Sequence, residues 1–236
     1  MHPLDRPVWA SLTTQHASLS AGNALARRFA GDVNLFAAAR DDTPEALAAL
    51  AGLVEPGETV FVLQVPKIVI PPGLVAVKAT QGVQMVATRS MSSGPRRDLQ
   101  MLTDEDAPDM LELATLTEPG PFLARTHTMG TFLGIRVGGR LVAMAGERMR
   151  FPGYTEISGV CTHPEFRGQG FGRRLSAAVA ASIEARGDQA FLHAWKTNHS
   201  AISLYEGLGF KLRTEVNVAV LERSDLAERN ELGAEK

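Results

Sequence analysis

The chain has 236 residues, 44% of them hydrophobic, enough to bury the core of one large domain or two small ones. A net charge of −2, from 24 Lys+Arg against 26 Asp+Glu, argues against a nucleic-acid-binding protein, which carries a basic excess on one face. The single cysteine, Cys161, excludes a disulfide framework and a cysteine metal cluster, and no run approaches the ~20 apolar residues of a membrane span. The start, Met1-His2-Pro3-Leu4-Asp5-Arg6, has no basic region followed by an apolar run. No signal peptide is expected there, and a cytoplasmic setting is the default.

In chain order, residues 23–29 read as part of a helix and 33–36 as a short strand. Thr43-Pro44 starts a helix over Glu45 to Leu50, with a Thr cap and Pro in the first turn. Residues 59–65 and 74–79 read as strands by their β-branched content. Residues 88–97 are polar, turn-rich and aperiodic, and mark a boundary. The expected organisation is an N-terminal α/β domain over 1–90, a linker over 91–97, a second domain over 98–223 and a frayed charged tail over 224–236. The first half shows neither a glycine loop nor a cluster of catalytic residue types.

The second half is richer. Residues 98–102 read as a short strand, and Thr103-Asp104-Glu105-Asp106 opens a helix to about Thr115 in the manner of a capping box. Residues 131–137 and 140–149 form a hairpin around Gly138-Gly139. After Phe151-Pro152-Gly153 a third strand covers 154–162. A helix spans 170–185, with Leu175, Val179 and Ile183 as its apolar stripe. A strand at 190–195, a helix at 200–208 ending at Gly209, and strands at 210–213 and 216–221 complete the pattern.

The segment His163-Pro164-Glu165-Phe166-Arg167-Gly168-Gln169-Gly170-Phe171-Gly172 joins a strand to a helix. Its glycines let a ligand approach the backbone, and the first helical amides have no intrahelical acceptor. Together with the helix dipole they suit a pyrophosphate. Arg167, Arg173 and Arg174 add local positive charge. The Walker pattern does not fit, because Arg173-Arg174 follow Gly172 instead of Lys-Ser/Thr. The dinucleotide fingerprint has another spacing and belongs to a parallel βαβ unit, whereas the strands here read as an antiparallel meander. Alone, the loop is equally well a structural turn.

Downstream, Asn198 to Phe210 has the form N-x-x-A-x-x-L-Y-x-x-x-G-F. With Arg-x-x-Gly-x-Gly at 167–172, this closely resembles the GNAT superfamily of acyl-CoA-dependent N-acyltransferases over residues 98–222. The two-part chain most resembles the glycine N-acyltransferase-like branch. The resemblance implies an α+β fold: a mixed, mostly antiparallel twisted sheet flanked by helices, with an N-terminal half compatible with a degenerate copy. It implies acetyl-CoA as co-substrate and no metal. Backbone groups around Val160, Cys161 and Thr162, at a splayed strand, would hold the pantetheine arm, as in strand addition. Arg167, Gly168, Gln169, Gly170, Phe171, Gly172 and Arg173 would hold the pyrophosphate, and Asn198 would bond the pantetheine or simply cap its helix. Tyr205 would sit near the sulfur and protonate the leaving thiolate, its ordinary pKa of about 10 keeping it a donor.

The acceptor amine must lose a proton before attack. Glu156 is the first candidate base, at the offset before Arg167 where the histone-acetylating branch carries its catalytic glutamate, and Glu147 is the second. Burial would have to raise the Glu pKa for this role. Arg125-Thr126-His127 falls in a segment that lines the acceptor site in many members. His193 and Trp195 read as strand residues, one face of which could border the acceptor. Cys161 reads as a small buried residue. The expected function is transfer of an acetyl group to a small-molecule primary amine, with a protein N-terminus or lysine as alternative acceptor and a non-catalytic acyl-CoA sensor as alternative class. No nucleic-acid or membrane partner is expected, and the N-terminal half could shape the acceptor site or form a homodimer contact.

Overall fold

The computed structural model describes residues 2–90 and 98–224. The expected linker at 91–97 and all but the first residue of the expected tail lie outside the described residues. The chain forms two compact units, each drawn from more than one stretch of the sequence. One comprises Met1–Ala30, Leu35–Gln81 and Val216–Lys236, as far as these are described; the other comprises Gly31–Asn34 and Gly82–Glu215.

In the first unit, α1 (Pro7–Leu12) is followed by a three-stranded antiparallel sheet of β1 (Ser20–Gly22), β2 (Ala26–Phe29) and β3 (Ala37–Ala39). The helix expected over 23–29 is instead the tip and second strand of this hairpin. Asn23 Oδ1 accepts from the amides of Leu25 and Ala26, closing a side-chain turn that competes with a helix start. The strand expected at 33–36 forms later, in the fully buried Ala37–Ala39 run, where burial overrides the low strand preference of alanine. Next comes α2 (Pro44–Ala51), capped by Thr43 Oγ1 on the Ala46 amide as expected. Then β4 (Thr59–Gln64) pairs antiparallel with residues 217–222 of the last strand.

The strand β5 (Leu74–Ala87) is longer than expected, and its part from Gly82 onward belongs to the second unit. There the order is β5, β10 (Gln189–Trp195), β9 (Tyr154–Thr162), β8 (Arg140–Phe151), β7 (Phe132–Val137) and β6 (Gln100–Leu102). Within this order, every pair is antiparallel except β9 with β10. Gly138 and Gly139, with φ of 58° and 84°, make the tight turn between β7 and β8.

The helix α3 (Ala107–Thr117) follows a 3-10 turn closed by the Thr103–Asp106 capping box and buries Met110, Leu113 and Ala114 among Phe132, Met144 and Cys161. Against the opposite face, α4 (Phe171–Ala185) buries the predicted stripe Leu175, Val179 and Ile183 among Ala145, Ile157 and Leu192. Each such side chain contributes roughly 1.5–3 kcal/mol on full burial. A fifth helix, α5 (His199–Leu208), ends at Gly209 with φ 101°. The last strand, β11 (Phe210–Arg223), is continuous where two strands were expected, because Thr214-Glu215 contains no breaker. This mixed, mostly antiparallel sheet flanked by helices is the expected architecture.

Candidate active site

The parallel pairing of β9 and β10 runs from Tyr154↔Gln189 to Ile157↔Leu192 and ends there. Beyond it, β10 continues along β5, with His193 opposite Gln84, while β9 continues along β8, with Thr162 opposite Ala143. The two strands therefore part. Between Ser158↔Gly146 and Cys161↔Met144, β9 holds one residue more than β8, a bulge that includes Gly159 at φ 61°. The His163 amide donates to Val142 O at 2.8 Å. By antiparallel alternation, Val160 and Thr162 turn their backbone groups away from β8, to the side that β10 has left. Cys161 turns its own toward β8, contrary to its expected place in the cofactor site. Its side chain is buried in the α3 cluster, and burial pushes the thiol up to about 11, so it stays protonated and inert.

Gly159 is also required sterically, because a Cβ there would lie 2.9 Å from Phe132 Cε1. Gly159→Ala is expected to lose more than about 1–2 kcal/mol, the cost of a left-handed L-residue alone, in a urea unfolding curve.

Past β9, His163 caps a 3-10 turn at Pro164–Phe166 and the glycine loop follows. Gly168 and Gly170 have φ of 80° and 75°, with open space where a Cβ would project, so conformation and not crowding calls for glycine. The helix α4 starts at Phe171, one residue later than expected, with Gly170 as a cap that offers no side-chain acceptor. The amides of Phe171, Gly172 and Arg173 thus lack intrahelical partners. A Cβ on Gly172 would lie 3.8 Å from Val160 Cγ1 and 3.9 Å from Thr162 Oγ1, which places the first turn of α4 against the open end of β9. Arg167 Nε meets Thr162 O at 3.4 Å, Arg173 donates to Gly207 O at 2.9 Å, and Arg174 pairs with Asp98. Gln169 is exposed in the loop.

Tyr205, on α5, is 8% exposed, with its ring edge-on to Phe210. Burial, and then the nearby Glu156 charge, push its hydroxyl up to about 12. Asn198 Oδ1 caps α5 by accepting from the Ala201 amide at 3.1 Å. A shallow surface depression borders the bulge, walled by Pro119, Phe122, Thr126, Arg148, Ser158 and Gly159 among others, none of them a carboxylate. Thr126, from the segment expected near the acceptor, is held by its hydroxyl on Val33 O at 2.6 Å.

Glu156 lies fully buried on β9. Arg148 reaches it twice, Nε to Oε2 at 2.8 Å and Nη2 to Oε1 at 2.7 Å, and His193 Nδ1 lies 2.7 Å from Oε1. The Met149 amide adds a longer bond to Oε2 at 3.3 Å. Desolvation raises its pKa, but the Arg148 charge and hydrogen bonds, then the His193 bond, outweigh this and hold the carboxyl at about 2. This is the reverse of the raised pKa that the expected base role requires. A carboxylate so fully engaged is a poor acceptor for an ammonium proton. Glu147, the second candidate, faces the other way: it is buried and takes Arg186 Nη2 at 2.7 Å, at the C-terminal end of α4.

Arg148 and Gln84 were not singled out by sequence, and His193 only loosely. Gln84 is fully buried and lies 3.0 Å from His193 Nε2. Among the described residues, no group of three or more His, Cys, Asp or Glu is placed to hold a metal ion, and no helix is long and apolar enough to cross a membrane.

Residues 132–219 match the family model of FR47-like proteins. A segment of 56 residues is 45% identical to a mycothiol acetyltransferase of Thermobispora bispora, spanning 23% of this chain but only 19% of that protein. The GCN5-related N-acetyltransferase of Kribbella flavida shares the fold at 18% identity, with a TM-score of 0.68 and coverage of 97% of this chain and 99% of that one. A protein assigned to the GNAT family from Novosphingobium aromaticivorans DSM 12444 is 40% identical, with a TM-score of 0.90, over 95% of this chain and 100% of that crystallised chain. Parted strands leading into an uncapped helix, together with this full-length similarity, establish that the chain belongs to the GNAT family.

Proposed function

We propose that the chain transfers an acetyl group from acetyl-CoA to a small-molecule primary amine by direct attack in a ternary complex. The observation that carries this is that β9, past its last pairing with β10 at Ile157, turns the backbone edge of Val160 and Thr162 away from β8 and runs directly into the glycine loop and the α4 amides that lack intrahelical partners. The pantetheine arm lies in the gap between β9 and β10, where its amides replace the missing strand partner. The pyrophosphate takes the amides from Gly168 to Arg173. Asn198 serves mainly as a cap.

The amine nitrogen attacks the thioester carbon, the carbon–sulfur bond breaks, and an amide forms. Tyr205, protonated at all ordinary pH values, gives its proton to the departing thiolate and regains one from solvent. Glu156 stays ionised and anchors the gap, and the attacking nitrogen loses its proton to solvent water. The rate with a given amine therefore rises with pH through the amine's own pKa.

The test is thiol release from acetyl-CoA across amino acids, polyamines and aminoglycosides, with the N-acetyl product identified by mass spectrometry and the pH profile recorded for each active amine. Profiles that move with the acceptor's pKa support this mechanism. One fixed enzyme pKa near neutrality, shared by all acceptors, counts against it and returns a base to the enzyme. The buried, protonated Tyr205 also favours turnover over acyl-CoA sensing.

A further inference from the structure

The buried polar groups at the point where β9 and β10 part form a single directional series. Arg213, on β11, donates Nη1 to Gln84 Oε1 at 2.9 Å. Arginine has only donors, so the Gln84 carbonyl must face it and the amide NH2 must face His193. The His193 Nε2, 3.0 Å from Gln84 Nε2, is then an acceptor, and the ring proton sits on Nδ1, 2.7 Å from Glu156 Oε1. Arg148 closes the series from the far side of Glu156. Phe191 lies edge-on to the His193 ring at 5.7 Å and limits its tilt.

The place of this series is what gives it meaning. The last backbone pair between the parallel strands is Ile157↔Leu192. Glu156 is one residue before that point on β9, and His193 is one residue after it on β10. Their charge-assisted bond is a side-chain link between the two strands at the apex of their separation. On β5, Gln84 opposes His193 directly and braces the ring from behind.

We propose that His193 is a positioning residue: its bond to Glu156 sets where β9 and β10 part, and so sets the width of the slot that receives the pantetheine arm of CoA. This rests on the CoA-site reading above. The pyrophosphate loop lies at the other end of β9 and does not depend on the link. Loss of the link should therefore weaken ligands that carry pantetheine and spare those that lack it.

The experiment compares calorimetric titrations of CoA and of 3′-phosphoadenosine 5′-diphosphate, which is CoA without its pantetheine arm. His193→Leu is expected to weaken CoA by about tenfold or more, as for loss of one hydrogen bond to a charged group, and to leave the diphosphate unchanged. His193→Asn, which keeps a donor for Glu156, is expected to restore most of the CoA affinity. Gln84→Met leaves Glu156 and Arg148 paired but removes the brace. It is expected to show the same selective loss at smaller size, and it carries the test alone if the leucine variant does not fold. Unchanged CoA affinity in the variants, or equal loss of both ligands, would overturn the proposal. Wild-type protein that binds neither ligand would overturn the CoA reading and this inference with it.

Discussion

Replacing Glu156 with alanine is expected to destabilise the protein by about 3–5 kcal/mol, the usual result of stripping the partner from a buried ion. Arg148, 7% exposed, would keep its charge and lose both of its bonds to this carboxylate, and His193 would lose this acceptor. At roughly 2–4 °C per kcal/mol for a chain of this size, the melting temperature should fall by about 10 °C. The pH dependence carries the same signature. The folded-state pKa of about 2 lies below the ordinary 4.5, so this stabilisation is complete above pH 4.5 and disappears as pH falls toward 2. A depression of that size corresponds to about 3 kcal/mol. Stability of the Glu156→Gln variant should start lower and vary less over this window. If Glu156 were the base, the glutamine variant would instead keep its stability and lose turnover, with the acidic limb of its pH–rate profile abolished. Acid-titrated unfolding of the two variants beside the wild type separates the cases.

Tyr205→Phe is expected to lower kcat by about 10²–10⁴-fold, the range for a lost general acid. The ring would remain packed against Phe210, so stability should change little. The hydroxyl titrates at about 12, and the wild-type rate should show no downward limb from Tyr205 below pH 11. Acetyl-CoA affinity should be nearly unchanged, because the proton is needed only once the carbon–sulfur bond breaks. A variant that loses affinity and keeps kcat would reduce Tyr205 to a packing residue.

The reading of β9, the glycine loop, α4 and α5 needed only local signals. Pro152-Gly153 and His163-Pro164 delimit β9, the Leu175–Val179–Ile183 stripe defines α4, and Gly209 stops α5. The anchor around Glu156 was not legible in the same way. Counted back from the turn, Tyr154 opposes Phe151 and Thr155 opposes Arg150, so Glu156 should oppose Met149 and Arg148 should point to the other face. One extra residue in β8 between Arg150 and Glu147 reverses this and brings Arg148 onto the carboxylate. No local pattern announces that bulge. Gln84 was hidden for a different reason: it meets His193 only because β5, from far upstream, pairs with β10. In the first unit, the three alanines of β3 form a strand through burial that no propensity signals.

The two compact units are each drawn from separate stretches of the sequence. Gly31–Asn34 belongs to the second unit, where Val33 O accepts the Thr126 hydroxyl and Asp32 O accepts the Arg125 amide. Val216–Lys236 returns to the first unit along β4, as far as it is described. A polar, turn-rich segment at 88–97 marks a loop in sequence, yet chain pairing and not composition determines where a compact unit closes.

The proposed acetyl-CoA site is the gap between β9 and β10 with the glycine loop beyond it. Calorimetric titration of the wild-type protein with acetyl-CoA tests it most directly. Saturable binding of one equivalent per chain, weakened when Gly170 is replaced by a residue that resists its left-handed φ, is the predicted result. The absence of binding at millimolar acetyl-CoA would rule this site out.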